Sequence, residues 1–143
     1  MSTATHMKLT LALAIFLLAT AAPSGADARK STEAESAARA WLALVAAGNY
    51  PESWSTASKL FRGSIDKSRW AASVEHARAP LGALQTRHLQ SATFARTLPG
   101  APDGEYWVLQ FSSSFQNRAE ATETVTPMKD EDGRWHVSGY YIR

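Results

Sequence analysis

Apolar residues recur along this chain with two different periods, and the change from one to the other divides it. Ala34, Ala38, Trp41, Leu42 and Val45 return at the three-and-four spacing of one helix face. Thr32 followed by Glu35 is a capping-box pattern that predicts the start of this first helix, and Gly48 predicts its end. Asn49, with Pro51 in the first turn, opens a second helix whose stripe is Trp54, Ala57, Ser58 and Phe61 and whose stop is Gly63. A third helix starts at Asp66 or Ser68 and buries Trp70, Val74 and Ala77. Pro80 and Gly82 end it, because proline removes a backbone donor and clashes with the preceding turn.

After Leu84 the period becomes two. Glu105 to Phe115 alternates Trp107, Leu109 and Phe111 on one side with Tyr106, Val108 and Gln110 on the other. Ala119 to Met128 is rich in Thr and Val, and Arg134 to Ile142 places Trp135, Val137 and Tyr141 on one face. Asp132-Gly133 between these two strands predicts a type I′ hairpin, and Gln116-Asn117-Arg118 a second tight turn. The loop from Pro99 to Gly104 follows an earlier strand, about Gln85 to Ala95. There Leu89 and Phe94 have opposite parity, so that strand is bulged or its register differs. Helices first and an antiparallel meander afterwards predict an α+β fold, three helices covering one face of a four-stranded sheet.

The N-terminus reads as an address. Leu9 to Ala22 is unbroken apolar sequence behind Lys8, shorter than the about 20 residues of a bilayer span. Ala26-Asp27-Ala28 supplies the small residues of a cleavage site, so residues 1–28 are expected to leave as a general secretory signal peptide. Residues 29–143 then form a single mature domain, with no membrane span after cleavage. An uncleaved N-terminal anchor is the other reading. The expected location is periplasmic or secreted.

Composition narrows the chemistry. Cysteine is absent, which excludes disulfides, thiolate metal sites and a Cys nucleophile, and fits a bacterial envelope better than a eukaryotic exterior. Lys plus Arg number 15 against 13 Asp plus Glu, a net charge of +2 with no basic patch, so nucleic acid is not an expected partner. No glycine-rich phosphate loop, nucleophile elbow or HExxH occurs. His76, His88 and His136 fall on separate elements, so no metal and no cofactor is expected. Asp130-Glu131-Asp132-Gly133 lacks the spacing of a calcium loop.

Several ordered blocks resemble a known bacterial family. They are Ser53-Trp54 through Leu60-Phe61, Arg78-Ala79-Pro80-Leu81-Gly82, Leu98 to Tyr106 (LPGAPDGEY), Glu123 to Met128, and Gly133 to Ile142 (GRWHVSGYYI). Together they are similar to the family catalogued as domain of unknown function 4019, over nearly the whole mature chain. That resemblance implies a small secreted protein whose layout is similar to the cystatin-like, nuclear-transport-factor-2-like superfold, a cone of helices and curved sheet. It carries over no catalytic residue, and one architecture hosts enzymes, binders and scaffolds alike.

Strand parity singles out Glu123, which shares a face with Ala121 and Val125 and so points into the cone. A free carboxylate there would be raised in pKa by desolvation and fitted to proton transfer. The other reading is a structural pair with an arginine such as Arg62, Arg78 or Arg87. Tyr141 and His88 are the expected neighbours in a ligand pocket, although a buried Tyr is more often core filling. The opposite sheet face, with Tyr106, Val108, Thr122, Thr124, His136 and Tyr140, is broad and poor in charge. It is the expected interface for a second copy or another envelope protein. The function expected is therefore non-catalytic ligand binding or protein interaction in the envelope. The alternatives are a lyase or isomerase working through Glu123, and a structural envelope component without a ligand.

Overall fold

The alanine- and leucine-rich stretch before Gly48 forms the longest helix among the described residues, and it starts earlier than Thr32. The computed structural model describes residues 24–143; residues 1–23, which hold most of the expected leader, lie outside the described residues. Helix α1 covers Gly25–Ala46 and is capped by Ser24, whose Oγ accepts from the Asp27 backbone N–H at 3.3 Å. Thr32 lies inside this helix and donates back to the Ala28 carbonyl at 3.0 Å, so its hydroxyl serves no cap. Gly48, at φ 74°, terminates the helix as expected.

The second expected helix is two helices. α2 spans Tyr50–Thr56 and α3 Lys59–Ser64, separated at Ala57-Ser58. Ser58 is extended and fully buried, and its Oγ accepts from the Phe61 N–H at 3.0 Å to start α3. Its own backbone N–H donates to the Val137 carbonyl at 2.9 Å, which ties the break to the sheet edge. α4 spans Lys67–Arg78 and is capped by Asp66, which accepts from the Arg69 N–H at 2.9 Å. Its buried residues are Trp70, Val74 and Arg78. Ala77, expected in that stripe, is exposed, and the fourfold spacing puts an arginine in the last buried position. A short 3-10 turn at Ala79–Leu81 leads into the sheet.

The sheet is the expected meander. β1 (Leu84–Ala95), β2 (Tyr106–Phe115), β3 (Arg118–Lys129) and β4 (Trp135–Ile142) lie side by side in that order, antiparallel throughout. One bulge falls at Gln90, between the pairs Leu89↔Phe111 and Ser91↔Gln110. It accounts for the opposite parity of Leu89 and Phe94, which both face the helices. Another falls at Ser138, which has no partner between the pairs Thr126↔Gly139 and Pro127↔Val137 and donates through Oγ to the Thr126 carbonyl at 2.8 Å. Beyond it the parity of β4 reverses, so Tyr140 and Ile142 turn toward the helices and Tyr141 turns away. The β3–β4 hairpin also differs from the expected type I′ turn. That turn needs positive φ at two residues, but here only Gly133 has it (74°), and the Gly133 N–H closes a turn onto the Asp130 carbonyl at 2.9 Å.

The core lies between α1 and the inner sheet face. Ala34, Ala38, Leu42 and Val45 pack in one cluster with Leu109, Phe111, Val125 and Val137. Trp41 is 5.6 Å from Trp70 and 5.3 Å from Tyr140 between ring centroids, and Phe61 is 4.9 Å from Trp70. Two buried indole N–H groups are satisfied within the cluster, Trp41 donating to the Ser53 carbonyl at 2.8 Å and Trp70 to Ser53 Oγ at 2.9 Å, while those of Trp107 and Trp135 have no partner among the described residues. The interior is filled by aromatic rings. No helix among the described residues is long and apolar enough to cross a membrane.

Candidate functional site: a buried carboxylate between two arginines

Five elements bring five polar side chains together on the inner side of the sheet. Glu123, in the middle of β3 opposite Phe111 and Ile142, is fully buried. Arg78 arrives from the last turn of α4. Arg87 arrives from β1, opposite Ser113 of β2. Tyr140 arrives from β4, carried to this face by the Ser138 bulge.

The carboxylate is fully occupied. Its Oε1 accepts from Ser113 Oγ at 2.5 Å and from Arg87 Nε at 2.8 Å. Its Oε2 accepts from the Tyr140 hydroxyl at 2.5 Å and from Arg78 Nη1 at 3.2 Å. Arg78 Nη1 also donates to the Tyr140 oxygen at 3.2 Å, and its guanidinium stacks 4.6 Å above the Phe115 ring. Arg87 Nη2 is 2.8 Å from Oε1 without the alignment of a hydrogen bond. Arg78 and the Arg87 side chain are about nine-tenths buried or more, at 6% and 10% exposure. Two guanidinium groups thus share one carboxylate in the interior, which is tolerable only because hydrogen bonds and the Phe115 face offset the desolvation of the charges.

Burial alone would push the Glu123 carboxyl up. The hydrogen bonds from Arg87, Ser113 and Tyr140 and the charge of Arg87 outweigh it and hold the group below its ordinary value. Tyr140 is pushed well above the ordinary phenol value by burial first, and then by the charge of Glu123 and the hydrogen bond to it. A carboxylate with four donors already on its two oxygens has no place to take up a proton from a substrate. This arrangement holds five elements together, α4 and all four strands.

The other expected pocket residues lie elsewhere. Tyr141 is 52% exposed on the outer face, and His88 is exposed on the outer side of β1. Each is the immediate chain neighbour of a residue that does reach Glu123, namely Tyr140 and Arg87. The parity of Arg87 with the inward Leu89 was the available signal for the second of these.

The expected interface residues are also redistributed. Tyr140 is on the opposite face, inside the cluster. Tyr106 is 1% exposed beneath the β1–β2 loop and donates to the Pro102 carbonyl at 2.5 Å. Thr124 is 5% exposed between its ladder partners Gln110 and Tyr141. The His136 ring bridges the Thr56 carbonyl at 3.1 Å and Asp132 Oδ2 at 2.8 Å. Val108 and Thr122 remain half-buried on the outer face.

Three clefts open on the surface. One of about 580 Å³ lies between the β1–β2 loop and the β3–β4 hairpin and is lined by charged residues of both signs, among them Arg96, Asp103, Glu105 and Lys129. A second, of about 610 Å³, lies between α1, α2 and the start of β4. A groove of about 240 Å³ separates α4 from the end of β4. No metal-ligating set of three His, Cys, Asp or Glu side chains gathers among the described residues.

The family model for a protein of unknown function, DUF4019, matches residues 37–140. The chain belongs to the DUF4019 family. The matched span runs from the middle of α1 to Tyr140 and contains all five residues of the Glu123 cluster. No curated protein and no solved structure matches this DUF4019 chain.

Proposed function

We propose that this DUF4019 protein is an exported binding domain of the bacterial cell envelope that performs no chemistry of its own. The observation that carries this reading is the saturation of Glu123. The one fully buried carboxylate among the described residues is spent on four hydrogen bonds in a filled interior, so binding takes place at surface clefts. Export is supported by the apolar run Leu9 to Ala22 behind Lys8, by the small residues Ala26 and Ala28, and by the absence of cysteine.

Two experiments test it. Replacing Glu123 by Gln keeps the shape but breaks the charge balance of a buried pair, which costs about 3–5 kcal/mol. In a domain of this size that lowers Tm by roughly 10 °C or more, or prevents folding. A Glu123→Gln protein as stable as the parent would show that the carboxylate is not a structural hub and would restore proton transfer as its role. Cell fractionation of the full-length chain in a bacterial host tests export: the expected product is a shortened chain in the periplasm, and an unshortened cytoplasmic chain overturns the envelope assignment.

A further inference from the structure

We propose that the cleft between α1, α2 and the start of β4 binds a small organic anion with an apolar tail, a medium-chain monocarboxylate being the simplest case. The inference names a ligand class within the binding role argued above and rests on it. The cleft encloses about 610 Å³, in the range of small-molecule sites. One wall is the flank of α1, where Ala37, Ala40 and Leu44 follow at helical spacing; Ala40 is exposed and the other two are half-buried. Trp135 and Val137 form the facing wall. These walls suit an alkyl or aryl body.

Charge decides what that body carries. Arg134 and His136 line the cleft and no Asp or Glu does. The His136 ring is already held between Thr56 and Asp132, whereas Arg134 makes no ion pair among the described residues. Trp135 supplies an independent sign. It is 8% exposed and its indole N–H is buried with no partner, a costly state for a donor. A carboxylate seated beside Arg134 pairs a guanidinium whose side chain otherwise meets, among the described residues, only the charge of Asp132, and a turn of the Trp135 ring toward the cleft that it lines gives its N–H that acceptor. A quaternary ammonium amphiphile of the same length does neither.

Sodium octanoate is the probe, read by the indole N–H signals of the ¹⁵N-labelled protein. The Trp135 signal is expected to shift saturably. The signals of Trp54 and Trp70, which already donate to Ile65 and Ser53, should stay in place, and so should that of Trp107, which is unpartnered but lies outside the cleft. Arg134→Gln, on an exposed residue that leaves the fold intact, weakens octanoate by roughly tenfold or more, the loss of one charge-assisted hydrogen bond. Ala40→Phe fills the cleft and abolishes the shift. The absence of a saturable Trp135 shift overturns the proposal. So does equal binding by Arg134→Gln, by Ala40→Phe, or of octyltrimethylammonium in place of octanoate. These outcomes leave the Glu123→Gln stability result untouched, so the two readings fail separately.

Discussion

Glu123 and Tyr140 share a short hydrogen bond, and pH acts on them in opposite directions. The Glu123 carboxyl is held below its ordinary value of 4.5, so its contribution to stability is fully present above that pH and is lost as pH falls through the lowered value. Tyr140 is raised above its ordinary 10.0, so its contribution is present below pH 10.0 and is lost as pH rises beyond it. Urea midpoints measured from acid to alkaline pH should therefore fall away at both ends. Tyr140→Phe should flatten the alkaline limb while keeping an acid one; an unchanged alkaline limb would mean that the phenol does not titrate with folding. Parity along β3 already pointed Glu123 inward, and of the expected partners Arg62, Arg78 and Arg87 the last two pair with it. Tyr140 was hidden because the same parity, run along β4, selects Tyr141; Gly139 beside Ser138 was the one residue type there that could have marked the slip.

At the level of elements, the periods of three-and-four and of two were enough to find the helical half, the meander and its strand order. Breaks within an element were harder to read. Ser58 looks like one more small residue on a helix face, yet it ends one helix and caps the next because its N–H is needed at the β4 edge. Ser138 acts in the same way on the sheet, and its effect is open to experiment. Ser138→Ala loses one hydrogen bond to Thr126 and should cost about 1 kcal/mol. Deleting Ser138 instead sets Gly139 beside Val137 in simple alternation and leaves Tyr140 opposite Val125, so the phenol stays on Glu123 and the chain should keep its cooperative unfolding transition. A deletion that abolishes the transition, compared with the alanine replacement by thermal melts, would mean that Ser138 is not the surplus residue of the strand.

Taken whole, the molecule follows its composition: with five Trp and no Cys, it is held by packed rings and one ionic knot. A filled interior is a matter of side-chain volumes meeting in three dimensions, which alternation along a strand does not report; the same pattern would have served a hollow cone. The start of α1 carries one more consequence. Ala26, Asp27 and Ala28 are wound into its first turn beneath the Ser24 cap, whereas a peptidase cutting ahead of Arg29 must grip those residues as an extended strand. Processing there would have to outrun the winding of that turn, or wait for it to fray. It would also sever the carbonyl that occupies Thr32, freeing that hydroxyl and Glu35 to reseal the new helix end as a capping box.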